Sequence, residues 1–247
     1  MKISVLASGS KGNSTYIEHN NTKILIDMGM SCNYIEKKLI SMGVTPNSIN
    51  GILITHIHID HIAGIKTFCK KYNTPIFISP KAEHIIKEYV QNPNIVHIKK
   101  EMSIKDIEIK VIKNSHDTES LGFILNNELV YITDTGYLNS KYFDMLNNKV
   151  MYIIESNHDI EMLMEGSYPH HLKQRILGDK GHLSNKDCSY YLSKLIGDKT
   201  KYIILAHLSE DNNTKEKAIE TLMLHNIDKK IKTIVSQQKE KTELVEI

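Results

Sequence analysis

The chain has 247 residues, of which 40% are hydrophobic and 24% are charged, and its formal net charge is +2 with neutral histidines. This balance excludes a disordered protein and a polybasic tail. Apolar runs are too short to span a membrane, the first residues lack signal-peptide features, and the three cysteines form no CxxC pair. We therefore expect a cytoplasmic protein with a single domain over residues 1–247 and no disulfide framework.

Short apolar segments bounded by turn residues predict many strands with helices between them. In chain order, strands are predicted at residues 2–7, 15–19, 23–27, 51–55, 75–79, 95–98, 107–113, 122–125, 129–133, 150–155, 201–206 and 232–235. Helical spacing of apolar residues predicts helices at 33–42, 62–72, 82–91, 141–147, 170–177, 186–196 and 214–225. This order favours mixed sheets that are covered by helices.

A cluster of histidines with one aspartate directly follows the predicted strand 51–55. His56 and His58 are two residues apart, so in extended chain their side chains share one side and can bind one cation. Asp60 and His61 follow where the chain turns into a helix, and they point to a second position. Imidazole and carboxylate together suit Zn²⁺, Mn²⁺ or Fe. Four solvated surface residues are the ordinary alternative, but nothing structural requires this cluster after a buried strand.

Polar residues also follow three later strands, where the remaining metal ligands are expected. His116 comes after strand 107–113, Asp134 comes directly after strand 129–133, and His207 comes directly after strand 201–206. His116 alone is as well explained as an ordinary loop residue. Because the first motif supplies too few ligands for two metals, all three become predicted ligands when they are taken with it.

The ordered set HxHxDH, His, Asp and His resembles the metallo-β-lactamase superfamily, and the resemblance covers nearly the whole chain. It implies an α+β fold, a four-layer αββα sandwich with two metal ions at one edge of the sheets. The carried-over ligands are His56, His58 and His116 for the first metal, Asp60, His61 and His207 for the second, and Asp134 as a bridge. Asp27 matches the superfamily's early aspartate, which orients the ligand loop. A simple Asp-x-Gly turn is the alternative for Asp27.

Further residues indicate a branch of the superfamily. A bridging carboxylate such as Asp134 is common to the phosphodiesterase and thiolester branches, and no cysteine occupies a motif position, which argues against a β-lactamase. The segment Gly181-His182-Leu183-Ser184 resembles a motif of phosphodiesterase members such as tRNA 3′-processing nucleases. His182 is then expected near the scissile phosphate, where it assists the leaving oxygen. Its alternative is a histidine at a helix start whose neighbours cap the helix.

Five segments look, in order, like the YycJ/WalJ subfamily: residues 8–14, 134–137, 155–159, 181–185 and 206–213. Members of that subfamily are similar to 5′→3′ exonucleases acting on double-stranded DNA. The resemblance implies two divalent metal ions, Zn²⁺ or Mn²⁺ with Fe as a further option, and a metal-bridging hydroxide that Asp60 helps to orient. Only about 70 residues separate Asp134 from His207, which leaves no room for the large insert of RNase J-like nucleases.

Weaker signals predict contacts with a DNA substrate that carries a 5′-phosphate. Ser8, Ser10 and Asn13 lie in a Gly/Ser-rich loop whose hydroxyl and N–H groups could bind that phosphate. Lys173 and Arg175 could bind phosphates of the DNA backbone, and His158 could line the substrate-binding cleft. The ordinary alternative for the Gly/Ser-rich loop is a plain connection between strands. For Lys173 and Arg175 it is a solvated helix face, and for His158 it is a hydrogen-bonded structural support. No membrane or protein partner is evident.

Other functions stay open on the same scaffold. One is an RNA or small cyclic phosphodiester hydrolase. Another is a thiolester hydrolase, which would need a cofactor pocket and would leave His182 without a clear role. A non-catalytic regulatory protein is the third, and the complete set of predicted metal ligands argues against it.

Overall fold

The computed structural model describes residues 1–225 and 227–247. These residues form two compact units, one of residues 1–110 and 237–247 and the other of residues 111–236. The expectation of one domain over residues 1–247 stays a prediction. No helix within the described ranges combines the length and the hydropathy needed to cross a bilayer.

The described residues form short strands and helices in alternation. The strands are β1 (Lys2–Ala7), β2 (Ser14–His19), β3 (Thr22–Ile26), β4 (Gly51–Leu53), β5 (Ile76–Ile78), β6 (Ile95–His97), β7 (Glu101–Ile104), β8 (Ile107–Lys113), β9 (Leu121–Leu125), β10 (Leu129–Ile132), β11 (Met151–Glu155), β12 (Tyr202–Ala206), β13 (Lys232–Val235) and β14 (Val245–Glu246). The α-helices are α1 (Cys32–Ser41), α2 (Ile59–Ile62), α3 (Ile65–Tyr72), α4 (Glu83–Tyr89), α5 (Phe143–Leu146), α6 (Ile160–Glu165), α7 (His170–Leu177), α8 (Asn185–Leu195) and α9 (Lys215–Met223). Short 3₁₀ turns lie at Pro46–Ser48, Pro80–Ala82 and Ser140–Tyr142.

The first unit is built on a mixed sheet with the strand order β14-β1-β2-β3-β4-β5-β6. Neighbours from β14 to β3 are antiparallel, and neighbours from β3 to β6 are parallel. Ile26 pairs with Leu53, so Asp27 and the residues after β4 leave the sheet at the same edge. On one face of the sheet, Leu25 and Ile52 pack in a core with Ile35 and Leu39, which are one turn apart on α1.

The second sheet has the strand order β13-β12-β11-β10-β9-β8-β7, and the boundary between the two units falls within β8. In the second unit, β10 to β13 are parallel, and β9 is antiparallel to β10. Tyr152 and Ile203 from this sheet pack in a core with Cys188, Leu192 and Leu195 of α8. The three neighbouring parallel strands β10, β11 and β12 therefore present their carboxyl ends side by side.

Several predicted elements have the observed bounds, including β1, β8, α7 and β13. The helix predicted at 62–72 is wrong at its start, because the structure has α2 and α3 there with Gly64 between them. Gly64 N donates to Met28 O at 2.9 Å, and a Cβ at Gly64 would overlap the backbone oxygen of Met30. The close approach of these two backbones ends the first helix early.

Besides α2, the elements β7, α6 and β14 of the described residues were not predicted. The pairing of β14 joins the end of the chain to its beginning, with Ile3 opposite Val245. Nearby, Thr242 N donates to Val5 O at 2.9 Å and Val5 N donates to Thr242 Oγ1 at 3.0 Å. The last residues are therefore part of the first sheet, and no short-range pattern in the sequence signals this long-range pairing.

Candidate metal centre

Two histidines of the HxHxDH motif converge in the first unit, directly after β4. Nε2 of His56 lies 3.0 Å from Nδ1 of His58, and the two ring centroids are 4.6 Å apart. The ring of His61 is 4.1 Å from that of His56. His56 and His61 are buried. Convergence of imidazole nitrogens away from bulk water is the arrangement that a divalent cation requires.

Asp27 orients this cluster through contacts with Thr55 and His61. Its carboxylate accepts from Thr55 N at 2.8 Å and from Thr55 Oγ1 at 2.9 Å, and its Oδ2 is 2.8 Å from Nδ1 of His61. Burial raises the pKa of Asp27, while the charge of His61 and the hydrogen bonds oppose that rise. With Nδ1 of His61 donating to Asp27, Nε2 of the ring is left with a lone pair for a metal.

Asn13 is a buried neighbour of Asp60 and His61. Its Nδ2 lies 3.2 Å from Asp60 Oδ2 and 3.1 Å from Nε2 of His61, and its backbone N donates to Asp60 O at 2.8 Å. Gly29 N donates to Asn13 O at 2.8 Å, and a Cβ on Gly29 would overlap the backbone oxygen of Asp60. These contacts show that Asn13 supports Asp60, and the phosphate contact predicted for Asn13 stays a prediction.

A second cluster forms at the carboxyl ends of β10, β11 and β12. Asp134 follows β10, Glu155 ends β11 and His207 follows β12, and all three are buried. Asp134 and His207 have positive φ angles of 56° and 57°, as Asp27 does at 59°. Aspartate and histidine enter this left-handed region more readily than most residues, so each can turn the chain sharply at a strand end.

Glu155 is the central residue of the second cluster and was not predicted as a site residue. Its Oε1 lies 2.7 Å from Nδ1 of His182 and 2.8 Å from Nδ1 of His207. Its Oε2 accepts from the backbone N–H groups of Thr135 and Leu183. Burial alone would raise the pKa of Glu155, but the charge and hydrogen bond of His182 and the hydrogen bond of His207 bring it below its ordinary value. The signal in the sequence was an acid ending an otherwise apolar buried strand.

His182 is the most accessible histidine of the second cluster, with a side chain 22% exposed. Its Nδ1 is 3.7 Å from Asp134 Oδ1 as well as 2.7 Å from Glu155. Burial lowers the pKa of His182, but the charge and hydrogen bond of Glu155 outweigh this and raise the pKa above its ordinary value. The direction of this shift favours the protonated ring, which is the form that can donate a proton.

His116 is buried and its Nδ1 lies 3.2 Å from the backbone oxygen of Gly181. Burial lowers the pKa of His116, and nearby carboxylates, Asp134 foremost, oppose the shift. Asp117 forms an ion pair with Arg175 of α7, and its other oxygen is 3.4 Å from Nε2 of His116. Arg175, predicted to contact DNA, thus lies beside the loop of a predicted ligand.

The other predicted substrate contacts have different surroundings. Ser10 is exposed, whereas Ser8 is buried and its N donates to Gln237 O at 3.0 Å. Lys173 Nζ donates to Met164 O at 2.7 Å. His158 is buried, burial lowers its pKa to about 4, and its backbone oxygen accepts from Asn185 N. This hydrogen bond links the residues after β11 to the start of α8, and the contact of His158 with a substrate stays a prediction.

The donor atoms fit a divalent metal. In the second unit, Nε2 of His207 is 3.5 Å from Asp134 Oδ1. In the first unit, Nε2 of His61 is 3.3 Å from Asp60 Oδ2. Buried imidazole and carboxylate donors suit Zn²⁺, Mn²⁺ or Fe. The cysteines Cys32, Cys69 and Cys188 are buried elsewhere in the cores and supply no ligand to these groups.

Comparison with known proteins places these residues in context. Residues 7–207 match the family model described as the metallo-beta-lactamase superfamily. The chain is 38% identical over 233 residues to exodeoxyribonuclease WalJ of Streptococcus pneumoniae, which covers 90% of this chain and 87% of that protein. It is 37% identical over 227 residues to exodeoxyribonuclease YycJ of Bacillus anthracis, with 88% and 86% covered.

Among solved structures, the chain resembles the metallo-beta-lactamase fold protein YhfI from Bacillus subtilis. The TM-score is 0.75 at 12% sequence identity, and the match covers 98% of this chain and 99% of that one. At this identity the likeness concerns the fold alone. It extends over both compact units.

Proposed function

The chain belongs to the metallo-β-lactamase superfamily, and we propose that it is a metal-dependent 5′→3′ exonuclease acting on double-stranded DNA. The predicted α+β metallo-β-lactamase fold and the predicted resemblance to the YycJ/WalJ subfamily are confirmed by the matches above. The relatives at 37–38% identity are named exodeoxyribonucleases, which supports DNA as the substrate. The polarity, the duplex substrate and the 5′-phosphate are part of the proposal.

One observation carries the phosphodiesterase assignment: the partly exposed ring of His182 stands beside the buried Asp134 and is fixed at Nδ1 by Glu155. Cleavage of a phosphodiester releases an alkoxide, which is strongly basic and must be protonated or neutralised as the bond breaks. Because Nδ1 of His182 is held by Glu155, Nε2 is the nitrogen that can donate to the leaving oxygen. A thiolester releases a thiolate, which is a weak base and needs no such donor.

We assign two metal ions to the donor groups. His56, His58 and His116 would hold the first, Asp60, His61 and His207 the second, and Asp134 both. When bound, such ions lower the pKa of a water to near neutrality and stabilise charge on phosphoryl oxygens. Zn²⁺ and Mn²⁺ both suit these donors, and Fe is a further option.

The protein's own residues orient the donors and move the proton. Asp27 fixes the tautomer of His61, so that Nε2 faces away from the carboxylate. Glu155 does the same for His207 through Nδ1, at 2.8 Å. Asn13 keeps Asp60 in place, and we assign Asp60 the further role of orienting the attacking water. Ser8, Ser10, His158, Lys173 and Arg175 stay candidate contacts for the DNA or its surroundings.

The proposal is tested with duplex DNA labelled at one 3′ end, with or without a 5′-phosphate. Metal-stripped protein is refilled separately with Mn²⁺ and Zn²⁺, and a closed circular duplex serves as a substrate without ends. We expect stepwise release of nucleotides from the 5′ end, abolished in Asp60→Ala and reduced at least 100-fold in His182→Ala. His84→Ala is the matched control, because His84 is an exposed histidine on α4.

Three results would contradict the proposal. Cutting of the closed circle at the rate of the linear duplex would make the enzyme an endonuclease. Release from the 3′ end alone would reverse the polarity. If DNA stays intact with either metal while RNA, a cyclic dinucleotide or a thiolester is hydrolysed, the proposed substrate class would be wrong. The proposed metal site would still be supported.

A further inference from the structure

A line of basic and aromatic side chains runs along the exposed face of α8. Lys186, Tyr190 and Lys194 are four residues apart, so they lie on one face of the helix at steps of about 6 Å. All three are exposed, and Tyr190 is 50% exposed although it is a large ring. We call these three residues the α8 stripe.

The α8 stripe has few competing contacts within the part of the chain that the structure describes. Neither Lys186 nor Lys194 forms an ion pair with a described residue. Nζ of Lys194 lies 5.6 Å from the centroid of the Tyr190 ring, and the Tyr191 ring is 5.6 Å away at 63°. An exposed cation–π contact of this kind is weak, so other partners can replace it. Asp187, on the flank of the stripe, is occupied by the capping residue Ser184.

The α8 stripe starts next to the second cluster. Helix α8 begins at Asn185, and Ser184 caps it directly after Leu183 and His182. Leu183 N donates to Glu155, so the chain between the cluster and the helix is fixed. The stripe therefore leads away from His182 along a rigid helix. A second exposed ring, Tyr137 at 39% exposure, follows Asp134 by three residues in the same unit.

We propose that the α8 stripe binds a single-stranded segment of the DNA substrate, with a base stacked on Tyr190 and backbone phosphates on Lys186 and Lys194. Exposed aromatic rings between cations are the general means of binding single strands, because every base has a stacking face. An intact duplex buries those faces inside its own stack, so Tyr190 favours the unpaired strand. This inference rests on the proposed function, since the bound strand would be one that digestion leaves unpaired.

A protein partner fits the α8 stripe less well. Cores of protein interfaces are depleted of lysine and enriched in contiguous apolar surface. Here two of the three exposed residues are lysines, and Leu192 and Leu195 of the same helix are fully buried. The stripe therefore offers charge and one ring rather than an apolar patch.

The test measures binding by fluorescence anisotropy, with the full-length, metal-loaded protein. The probe is a labelled oligothymidylate with phosphorothioate linkages at both ends to prevent hydrolysis, and a blunt duplex of the same length is measured beside it. Tyr190→Ala should weaken binding of the single strand about fivefold or more, while Tyr190→Phe should bind like the parent. The blunt duplex should show little response to either change.

The lysines are tested through the salt dependence. The double variant Lys186→Ala/Lys194→Ala should make the slope of log Kd against log salt shallower by about 1.4, or about 0.7 per lost phosphate contact. Lys66→Ala/Lys70→Ala is the matched control, because it removes the same charge from exposed lysines four residues apart on α3. The control should leave that slope within experimental error.

Unchanged binding of the single strand in Tyr190→Ala would overturn the inference. An equal loss of slope in both lysine variants would also overturn it, because it would show general charge attraction only. The proposed nuclease activity is judged separately by cleavage of the labelled duplex. If the protein cleaves the duplex but the stripe variants bind the single strand like the parent, only the role of the α8 stripe is disproved. If binding depends on the stripe but the duplex is not cleaved, only the nuclease assignment is disproved.

Discussion

Glu155 accepts a hydrogen bond from Nδ1 of His182 at 2.7 Å, through the same oxygen that lies 2.8 Å from Nδ1 of His207. One buried carboxylate thus sets the orientation of the proposed proton donor and of a proposed metal ligand. Glu155 ends β11 between the parallel strands β10 and β12, so it lies beside His207, and the hydrogen bond from Leu183 N holds the neighbouring His182 next to it. Changes at Glu155 should therefore affect proton transfer and metal binding together.

Replacing Glu155 with glutamine tests this relationship. The neutral amide keeps the volume but removes the charge that raises the pKa of His182, so we expect kcat on duplex DNA to fall about 100-fold or more. Metal affinity should also fall, by about 10-fold or more, because His207 loses its anionic partner. Steady-state kinetics and metal titration measure both. Glu165→Gln, at the exposed end of α6, is the control, and equal kinetics in the two variants would contradict the role of Glu155.

Asp27→Asn should weaken metal binding without unfolding the protein. The amide of asparagine would face Nδ1 of His61 and favour the tautomer with the proton on Nε2, which cannot bind a metal. We expect a loss of metal affinity of about 10- to 100-fold, measured by calorimetric titration with Zn²⁺ or Mn²⁺. Asp106→Asn is the control in the same unit, because Asp106 accepts a hydrogen bond from Thr22 at 2.9 Å away from the histidines. Parent-like affinity in Asp27→Asn would count against the tautomer argument.

Gly29→Ala should be strongly destabilising. The added Cβ would overlap the backbone of Asp60 and Asn13, and backbone cannot move aside cheaply. We expect a loss of about 3 kcal/mol in the free energy of unfolding, measured by urea denaturation. Gly43→Ala is the comparison, since its surroundings are open and only its φ of +75° opposes alanine, at a cost of about 1 kcal/mol. A smaller loss for Gly29→Ala than for Gly43→Ala would show that this contact is not rigid.

The cysteines should be unreactive in the folded protein. Burial raises the pKa of Cys32 to about 11 and that of Cys69 to about 12, and Cys188 is fully buried with its pKa raised further. At pH 8 the thiolate fraction is therefore very small, and reactivity should increase only as the pH approaches those values. A thiol reagent at pH 8 should react slowly with native protein and with three thiols after unfolding. A fast-reacting thiol in the native state would contradict the burial of its side chain.

Much of the fold was predictable because strand and helix signals are local. Alternating or continuous apolar runs gave β1, β8 and β13 their observed bounds, and helical spacing gave α7. The break between α2 and α3 was not predictable, because it depends on the approach of the Met28–Met30 backbone to Gly64. The pairing of β14 with β1 depends on contacts between the two ends of the chain in the same way.

The candidate site shows the same division. The dense motif indicated its candidate residues from sequence: His56 follows β4, and Asp60 and His61 lie in α2 where the chain was expected to turn into a helix. Their role as metal ligands stays a prediction. Glu155 and the supporting role of Asn13 were missed, because both depend on neighbours far along the chain: His182 and His207 for one, Asp60 for the other. Local sequence patterns indicate candidate metal-donor residues. The groups that orient those residues become visible only when segments distant in sequence are placed side by side.

We propose that His182 donates the proton to the leaving oxygen when a phosphodiester is cleaved. The most direct measurement compares His182→Ala with the parent on duplex DNA and on the 4-nitrophenyl ester of thymidine 5′-phosphate, whose leaving group needs no proton. We expect His182→Ala to lose at least 100-fold in rate on DNA and to keep a near-parent rate on the nitrophenyl ester. An equal loss on both substrates would contradict it, and would make His182 a structural or metal-binding residue instead.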